Sequence, residues 1–121
     1  MAESMVKLLL ENGQVDLNPR ASDGHTPLSQ AASRGHESVV KRLLVTGRVD
    51  VDMRGFNKHF TPLLWAAYRG QDSVVKLLLE SRRVDIDSRD YDGYTPLSQA
   101  TLGGHESVVN YHSRLVEWIS T

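Results

Sequence analysis

Two pairs of aspartates, each separated by one residue, are the side chains of this sequence best suited by type and spacing to acid–base chemistry. The pairs are Asp50 with Asp52 and Asp85 with Asp87. Two nearby carboxylates in different environments can divide the roles of general acid and general base. Both pairs, however, stand in the same V-D-x-D connector, where the turn-forming ability of aspartate explains them. We therefore expect these residues to shape turns, and we predict no catalytic residue.

A calcium loop is a second chemical possibility, because segment 88–99 half matches its pattern. Asp90, Asp92 and Gly93 fall at the third, fifth and sixth places of such a loop. The first place, however, is a serine, a glutamine replaces the final bidentate glutamate, and Pro96 interrupts the segment. The sequence therefore predicts no calcium site.

The histidines are the remaining candidates for metal binding. His25 and His59 are expected near the tips of adjacent loops, but packed helices lie about 8–10 Å apart, which is too far for both rings to reach one zinc ion at about 2 Å. His36 and His105 stand at predicted helix starts, where we expect a structural role. The chain also lacks cysteine and a glycine-rich phosphate loop, so we predict neither a metal nor another cofactor.

The composition limits the kinds of partner. The chain has 121 residues, a formal net charge of −1 and no cysteine, which suits one domain in a reducing compartment. The small net charge predicts no nucleic-acid partner, and no apolar run is long enough to span a membrane. The first residues do not have the pattern of a signal peptide. We therefore expect a cytoplasmic or nuclear protein.

An internal repeat supplies the elements that must position these side chains. The stretch D-G-H-T-P-L-S-Q-A-A-S-R-G-H-E-S-V-V at 23–40 returns at 92–109 with fourteen of eighteen residues identical, and a looser copy lies at 58–75. The T-P-L threonines are 35 and 34 residues apart, and such a period indicates stacked repeats. The single domain 1–121 then divides into a partial repeat 1–22, repeats 23–56 and 57–91, and a C-terminal capping repeat 92–121.

Each repeat predicts two helices. In the first full repeat Thr26 is a suitable N-cap, Pro27 takes the first helical position and Gly35 ends the helix. The second helix is predicted from about Glu37 to Thr46, because its apolar residues form one stripe.

The middle and last repeats depart from this pattern. His59 and Arg82 stand where the other repeats have glycine, so we expect both at positive φ. The last repeat predicts one longer helix, from about Glu106 to Ile119. A second stripe on that helix, formed by Tyr111, Leu115 and Trp118, is expected to lie half exposed as a cap, and the alternative is a site for a partner helix.

The period, the T-P-L helix start and the G-H before the second helix resemble the ankyrin repeat. The connectors V-D-V-D and V-D-I-D look like those of fungal ankyrin arrays. The resemblance implies an all-α solenoid of helix-turn-helix pairs with projecting β-hairpin loops, acting as a binding module and not as an enzyme. The family's T-P-L-H histidine is replaced by Ser29, Leu64 and Ser98. We expect the two serines to supply the missing hydrogen bonds and Leu64 to lose them.

The resemblance also implies where a partner binds, because family ligands meet the loop tips and the solvent-facing end of each first helix. The matching positions here are Ser22, Asp23, His25, Ser33, Arg34, Asn57, Lys58, Phe60, Tyr68, Arg69, Tyr91, Asp92, Tyr94, Leu102 and Gly103. Aromatic and charged residues dominate binding sites, so the predicted partner-binding set is His25, Lys58, Phe60, Tyr68, Arg69, Tyr91, Asp92 and Tyr94. Trp65 either borders the same groove or packs inside.

Three functions remain open from the sequence. The first is a module that binds a protein or peptide with an apolar centre through its concave surface of loop tips and groove. The second is a small-molecule binder or enzyme that uses the aromatic and histidine groove, for which a closed pocket and perturbed groups would be the sign. The third is a purely structural piece. Separately, apolar surface on the N-terminal helix, including Leu8, predicts either a cut from a longer array or a homodimer contact.

Overall fold

The computed structural model of the protein describes residues 24–55 and 59–120, the stretch 115–120 by its backbone only. The partial repeat 1–22, with the helix proposed for dimer contact, lies outside the described residues, as does Lys58. Within the described residues there are six α-helices and no β-strand. They are α1 (Pro27–Arg34), α2 (Glu37–Thr46), α3 (Pro62–Arg69), α4 (Asp72–Glu80), α5 (Pro96–Leu102) and α6 (Glu106–Ser120).

The helices form two layers. In one layer α1, α3 and α5 pack side by side, in the other α2, α4 and α6 do, and the two helices of each repeat pack on each other. The core between them is aliphatic and includes Leu28, Val40, Leu43, Leu63, Val75 and Leu78, all buried. This arrangement confirms the predicted all-α solenoid.

The start of each first-layer helix is fixed by the predicted threonine. The hydroxyls of Thr26, Thr61 and Thr95 accept hydrogen bonds from the N–H groups of Ser29, Leu64 and Ser98 at 3.1, 3.2 and 3.2 Å. The Ser29 hydroxyl in turn accepts from the Thr26 N–H at 2.9 Å, and the Ser98 hydroxyl lies 3.0 Å from that of Thr95. The two serines therefore supply extra hydrogen bonds that Leu64 cannot make, as expected.

The loops that precede α3 and α5 are called the fingers. A backbone hydrogen bond joins the two sides of each finger, from the Gly55 N–H to the Phe60 carbonyl and from the Asp90 N–H to the Tyr94 carbonyl, both at 3.0 Å. The Asp90 carboxylate also accepts from the N–H groups of Asp92 and Tyr94. The Asp90 side chain is therefore buried and holds its finger together from inside.

The paired aspartates shape the connectors, as the sequence predicts. Asp50 accepts a hydrogen bond from the Asp52 N–H at 3.1 Å, and Asp85 accepts one from the Asp87 N–H at 3.0 Å. The Asp52 carboxylate also receives the Asp85 N–H at 3.1 Å, which joins one connector to the next. Burial raises the pKa of Asp52 above its ordinary value, and the hydrogen bond from Asp85 opposes that rise.

One side chain at the start of each later second-layer helix links neighbouring repeats. The Gln71 amide donates to the Ser33 carbonyl at 3.0 Å, and the His105 Nε2 lies 2.9 Å from the Tyr68 carbonyl. The His105 ring fits against Gly70, where an added Cβ would come within 2.5 Å of the imidazole. His105 thus has the predicted structural role, because its ring forms a hydrogen bond that links two neighbouring repeats.

The two residues expected at positive φ adopt it, His59 at 61° and Arg82 at 57°. The strain at His59 is offset by contacts that the sequence does not reveal. Its ring stacks on Tyr91 with centroids 4.8 Å apart. Its carbonyl accepts from the Arg54 guanidinium at 2.9 Å, which also donates to the Arg89 carbonyl.

Arg82 and Gly47 hold equivalent positions, after α4 and after α2. Substitutions at the two positions should change the free energy of unfolding in opposite directions. Arg82→Gly should raise the free energy of unfolding by about 1 kcal/mol, because a non-glycine residue is strained in the left-handed region. Gly47→Ala should lower it by about 1 kcal/mol for the same reason, since no atom lies within 4 Å of the added Cβ. Urea denaturation measures both, and changes of the same sign would contradict this account.

The last helix, α6, extends one residue beyond the predicted Ile119. Tyr111 on its second stripe is half-buried: its hydroxyl donates to the Glu80 carboxylate at 3.2 Å, and the Lys76 ammonium lies 5.5 Å from the ring centroid. Tyr111 therefore agrees with the expected half-exposed stripe, whereas the side chains of Leu115 and Trp118 lie outside the described residues.

Candidate interaction surface

Three rings surround Trp65, and together the four residues form what we call the aromatic cluster: His25, Phe60, Trp65 and Tyr68. The centroid of the Trp65 ring lies 4.9 Å from that of His25, 4.8 Å from Phe60 and 6.2 Å from Tyr68. The structure thus brings together three of the predicted binding residues and settles the position of Trp65, which is half-buried between them.

Phe60 does not lie on an accessible fingertip, so the position expected for its side chain is wrong. Its side chain is 1% exposed, with edge-to-face contacts to Trp65 and Tyr68. The physical reason is Trp65, which supplies a large ring for Phe60 to pack against. Phe60 acts as the base on which Tyr68 rests, and Tyr68 is itself 39% exposed.

The predicted residues on the last finger are open to solvent. Tyr91 and Asp92 are exposed, and Tyr94 is 41% exposed. Tyr91 stacks on His59 of the neighbouring finger and so lies apart from the ring contacts of the aromatic cluster. The structure therefore divides the predicted set between two places: His25 and Tyr68 at the cluster, and Tyr91, Asp92 and Tyr94 on the last finger.

A polar groove adjoins the aromatic cluster at His25. It has a volume of about 430 Å³ and is lined by His25, Gln30, Ser33, Arg34, Arg69 and Gln71. Every one of these residues is polar or charged, and none is acidic. Two of the predicted binding residues, His25 and Arg69, thus share a groove with residues that the predicted set did not contain.

Arg34 and Arg69 are the cations of this groove and hold equivalent places in successive repeats. Both lie in the last turn of a first-layer helix, Arg34 in α1 and Arg69 in α3, and both are exposed. The guanidinium groups make no hydrogen bond or ion pair with any described residue, in contrast to the exposed pair of Lys41 and Glu37 at 3.6 Å. The groove therefore carries positive charge that this part of the chain does not neutralise.

The ionisable groups whose pKa values are shifted lie outside the polar groove. Burial lowers the pKa of the His112 imidazole in α6, and burial with the nearby Glu80 carboxylate raises the pKa of Tyr111. Neither residue lines the groove, and neither does Asp52. In the described part of the chain no three His, Asp or Glu side chains lie together as potential metal ligands.

Sequence reasoning missed three features of this surface. Gln30 and Gln71 line the groove, and Trp65 organises the aromatic cluster, yet none was in the predicted set. The signal for Gln71 was its position, since it replaces the histidine of the G-H motif. Leu102, which was among the family's contact positions but left out of the set, is 64% exposed.

Comparison with known proteins bears on the repeat directly. No helix among the described residues is long and apolar enough to cross a membrane. No curated protein matches this sequence closely enough to be called a relative. A family model described as ankyrin repeats (3 copies) matches residues 1–90 and 49–111. With its repeat period, its two layers of helices and this match over most of its length, the chain belongs to the ankyrin repeat family, whose members are in general protein-interaction modules.

Proposed function

We propose that this protein binds an extended segment of a partner protein along the surface formed by the polar groove and the aromatic cluster. The observation that carries the proposal is the position of Tyr68 and Arg69. These consecutive residues present a partly exposed ring and, at the end of α3, a guanidinium that pairs with no described residue. Tyrosine and arginine are the residue types that contribute most often to binding hot spots.

The packing beneath Tyr68 supports an anchoring role. Its ring lies against Phe60 and Trp65 at centroid distances of 5.7 and 6.2 Å, so its conformation is restricted before any partner arrives. A side chain that is already ordered loses little conformational entropy on binding. Tyr91, similarly stacked on His59, would extend the surface to the last finger.

The described residues favour a peptide over a small molecule. Small-molecule sites are mostly apolar with a few polar groups, whereas the groove is lined by polar and charged residues throughout. The alternative function as a small-molecule binder or enzyme therefore has less support than peptide binding.

Location and assembly remain proposals. The lack of cysteine supports a cytoplasmic or nuclear location, and the small net charge supports a partner other than nucleic acid. Homodimer contact through the N-terminal helix falls outside the described residues, and the likeness of the connectors to fungal arrays stays a prediction.

The variant Tyr68→Ala should weaken partner binding roughly tenfold while changing the melting temperature little, because part of this ring faces solvent. The partner is first captured with the wild-type chain and identified by mass spectrometry, and its affinity is then measured by calorimetry. Lys41→Ala, an exposed change on α2 away from the groove, serves as the control. Wild-type affinity in Tyr68→Ala, or an equal loss in Lys41→Ala, would place the binding surface elsewhere.

A further inference from the structure

We infer that the polar groove contains an oxyanion site, in which Arg34 and Arg69 together hold a carboxylate or phosphoryl group of the bound peptide. This inference rests on the proposed function and specifies the chemistry of the partner. Its starting point is the charge of the groove, which has two exposed guanidinium groups and, among the described residues, no acidic side chain in its lining. A guanidinium recognises carboxylates and phosphates through paired N–H donors, which an ammonium group cannot match.

The repeat geometry places both arginines at one site. They are equivalent residues of adjacent repeats, at the ends of α1 and α3, which pack side by side. Packed helices lie about 8–10 Å apart, a span over which two long side chains can converge on one anion between them. The Gln71 amide is anchored to the Ser33 carbonyl at 3.0 Å and forms a fixed part of the wall between the two repeats.

The helix ends do not cancel this positive charge. The terminal carbonyls of α1 and α3 would repel an anion if they were free. Backbone N–H groups occupy some of them: the His36 N–H donates to the Ala31 carbonyl and the Gln71 N–H to the Ala66 carbonyl, each at 2.9 Å. The positive charge of the two guanidinium groups therefore dominates the mouth of the groove.

The two groove arginines stand at one end of the described surface, which gives the partner a direction. The third repeat has Gly103 in place of the arginine, and its neighbour Leu102 is exposed. Between the second and third repeats the surface therefore presents Tyr68 and Leu102, an apolar pair. A bound segment would meet the arginines first and the apolar pair one repeat further along.

The spacing between the two subsites specifies a peptide pattern. One repeat step is about 8–10 Å, and an extended chain advances about 3.3 Å per residue. The structure thus points to a partner segment in which an acidic or phosphorylated residue and a large apolar residue are about three positions apart.

Blocked octapeptides of glycine and serine with one glutamate and one leucine test this pattern on the full chain. The glutamate and the leucine are placed three positions apart, with either residue first. We expect one of these two peptides to bind roughly tenfold tighter than the same peptide with glutamine in place of glutamate, because hydrogen bonds to a charged group are stronger. The preference should weaken at high salt. A phosphoserine peptide and inorganic phosphate alone identify which oxyanion binds best. The readout is the NMR shift of the arginine side-chain N–H signals, with affinities from titration.

Arg34→Gln and Arg69→Gln should each abolish the preference for the acidic peptide, and Lys41→Gln should preserve it. Equal binding of the glutamate and glutamine peptides, or a preference that survives in both arginine variants, would overturn the oxyanion site. So would unchanged Arg34 and Arg69 signals with every acidic probe at millimolar concentration. If partner capture still depends on Tyr68 in that case, the proposed function stands without this site. If capture is insensitive to all three residues, the proposed function fails as well.

Discussion

Replacing Phe60 by alanine should lower the free energy of unfolding by about 3–5 kcal/mol, the range for removing a buried phenylalanine. The ring is 1% exposed and contacts Trp65 and Tyr68 with centroids 4.8 and 5.7 Å away. Alanine would leave a cavity under the aromatic cluster. Such a loss is a large part of the stability of a small domain. Urea denaturation followed by circular dichroism measures it without relying on the fluorescence of the neighbouring tryptophan.

Tyr94→Ala is the matched control, because Tyr94 also directly precedes a T-P-L threonine. Its side chain is 41% exposed, so we expect a loss of about 1 kcal/mol or less. Equal losses in the two variants would mean that the fingertip position is buried in both repeats. A stable Phe60→Ala chain would mean that the ring does not support the core.

His112→Leu should raise the free energy of unfolding by about 2 kcal/mol, the cost of a buried polar group without partners. The imidazole is 5% exposed, and neither ring nitrogen makes a well-formed hydrogen bond with a described residue. The corresponding residues of the earlier repeats are Leu43 and Leu78, both fully buried. Leucine therefore suits this place in the helix layer and removes the unsatisfied nitrogens.

The same substitution should reduce the loss of stability in acid. Burial lowers the pKa of His112 in the folded chain below its ordinary value of 6.5, while the Asp87 carboxylate and the Ile86 backbone oppose this in part. As the pH falls below 6.5, the unfolded chain takes up a proton at this residue before the folded chain does. The wild type should therefore lose stability from 6.5 downwards until the folded pKa is reached.

Urea denaturation at several pH values compares the wild type with His112→Leu, and the difference between them isolates this residue from the other histidines. His36→Gln, which removes an exposed imidazole, is the control for loss of a histidine. A His112→Leu chain that is less stable than the wild type at neutral pH would show that the imidazole has a partner in solution. Parallel pH profiles would show that it titrates normally.

Helix positions were predictable because they depend on local chemistry. Thr26 and Pro27 begin α1, Gly35 ends it, and α2 runs over the predicted residues Glu37–Thr46. The positive φ values at His59 and Arg82 were also predictable, since each residue stands where the repeat otherwise has glycine. Such features need only a few neighbouring residues, all of which one repeat contains.

The burial of Phe60 was not predictable from its place in the repeat. His25, Phe60 and Tyr94 hold the same position, yet they are half-buried, buried and exposed in turn. The difference comes from the helix that follows, where Trp65 offers Phe60 a ring and Gln99 instead donates to the Asp90 carboxylate at 2.6 Å. Which of these contacts forms depends on packing between elements, which an average repeat pattern does not describe.

The polar groove was partly predictable from the sequence. Arg34 and Arg69 are one period apart, so their shared surface could have been recognised from the repeat alone. The absence of an acidic partner for them among the described residues could not, because it depends on where each nearby carboxylate points. Asp90, for instance, turns inward to its own finger and not towards solvent.

The fit of the His105 ring against Gly70 means that the repeats of this chain are not interchangeable parts. A side chain of the third repeat requires a missing side chain in the second, since a Cβ at Gly70 would come within 2.5 Å of the ring. Gln71 imposes the same condition on Gly35 of the first repeat. A repeat can be moved, duplicated or replaced by an averaged sequence and still keep its own helices. Such a change can nevertheless remove the contact of that repeat with its neighbour. Engineering of this array has to exchange residues as pairs across each boundary.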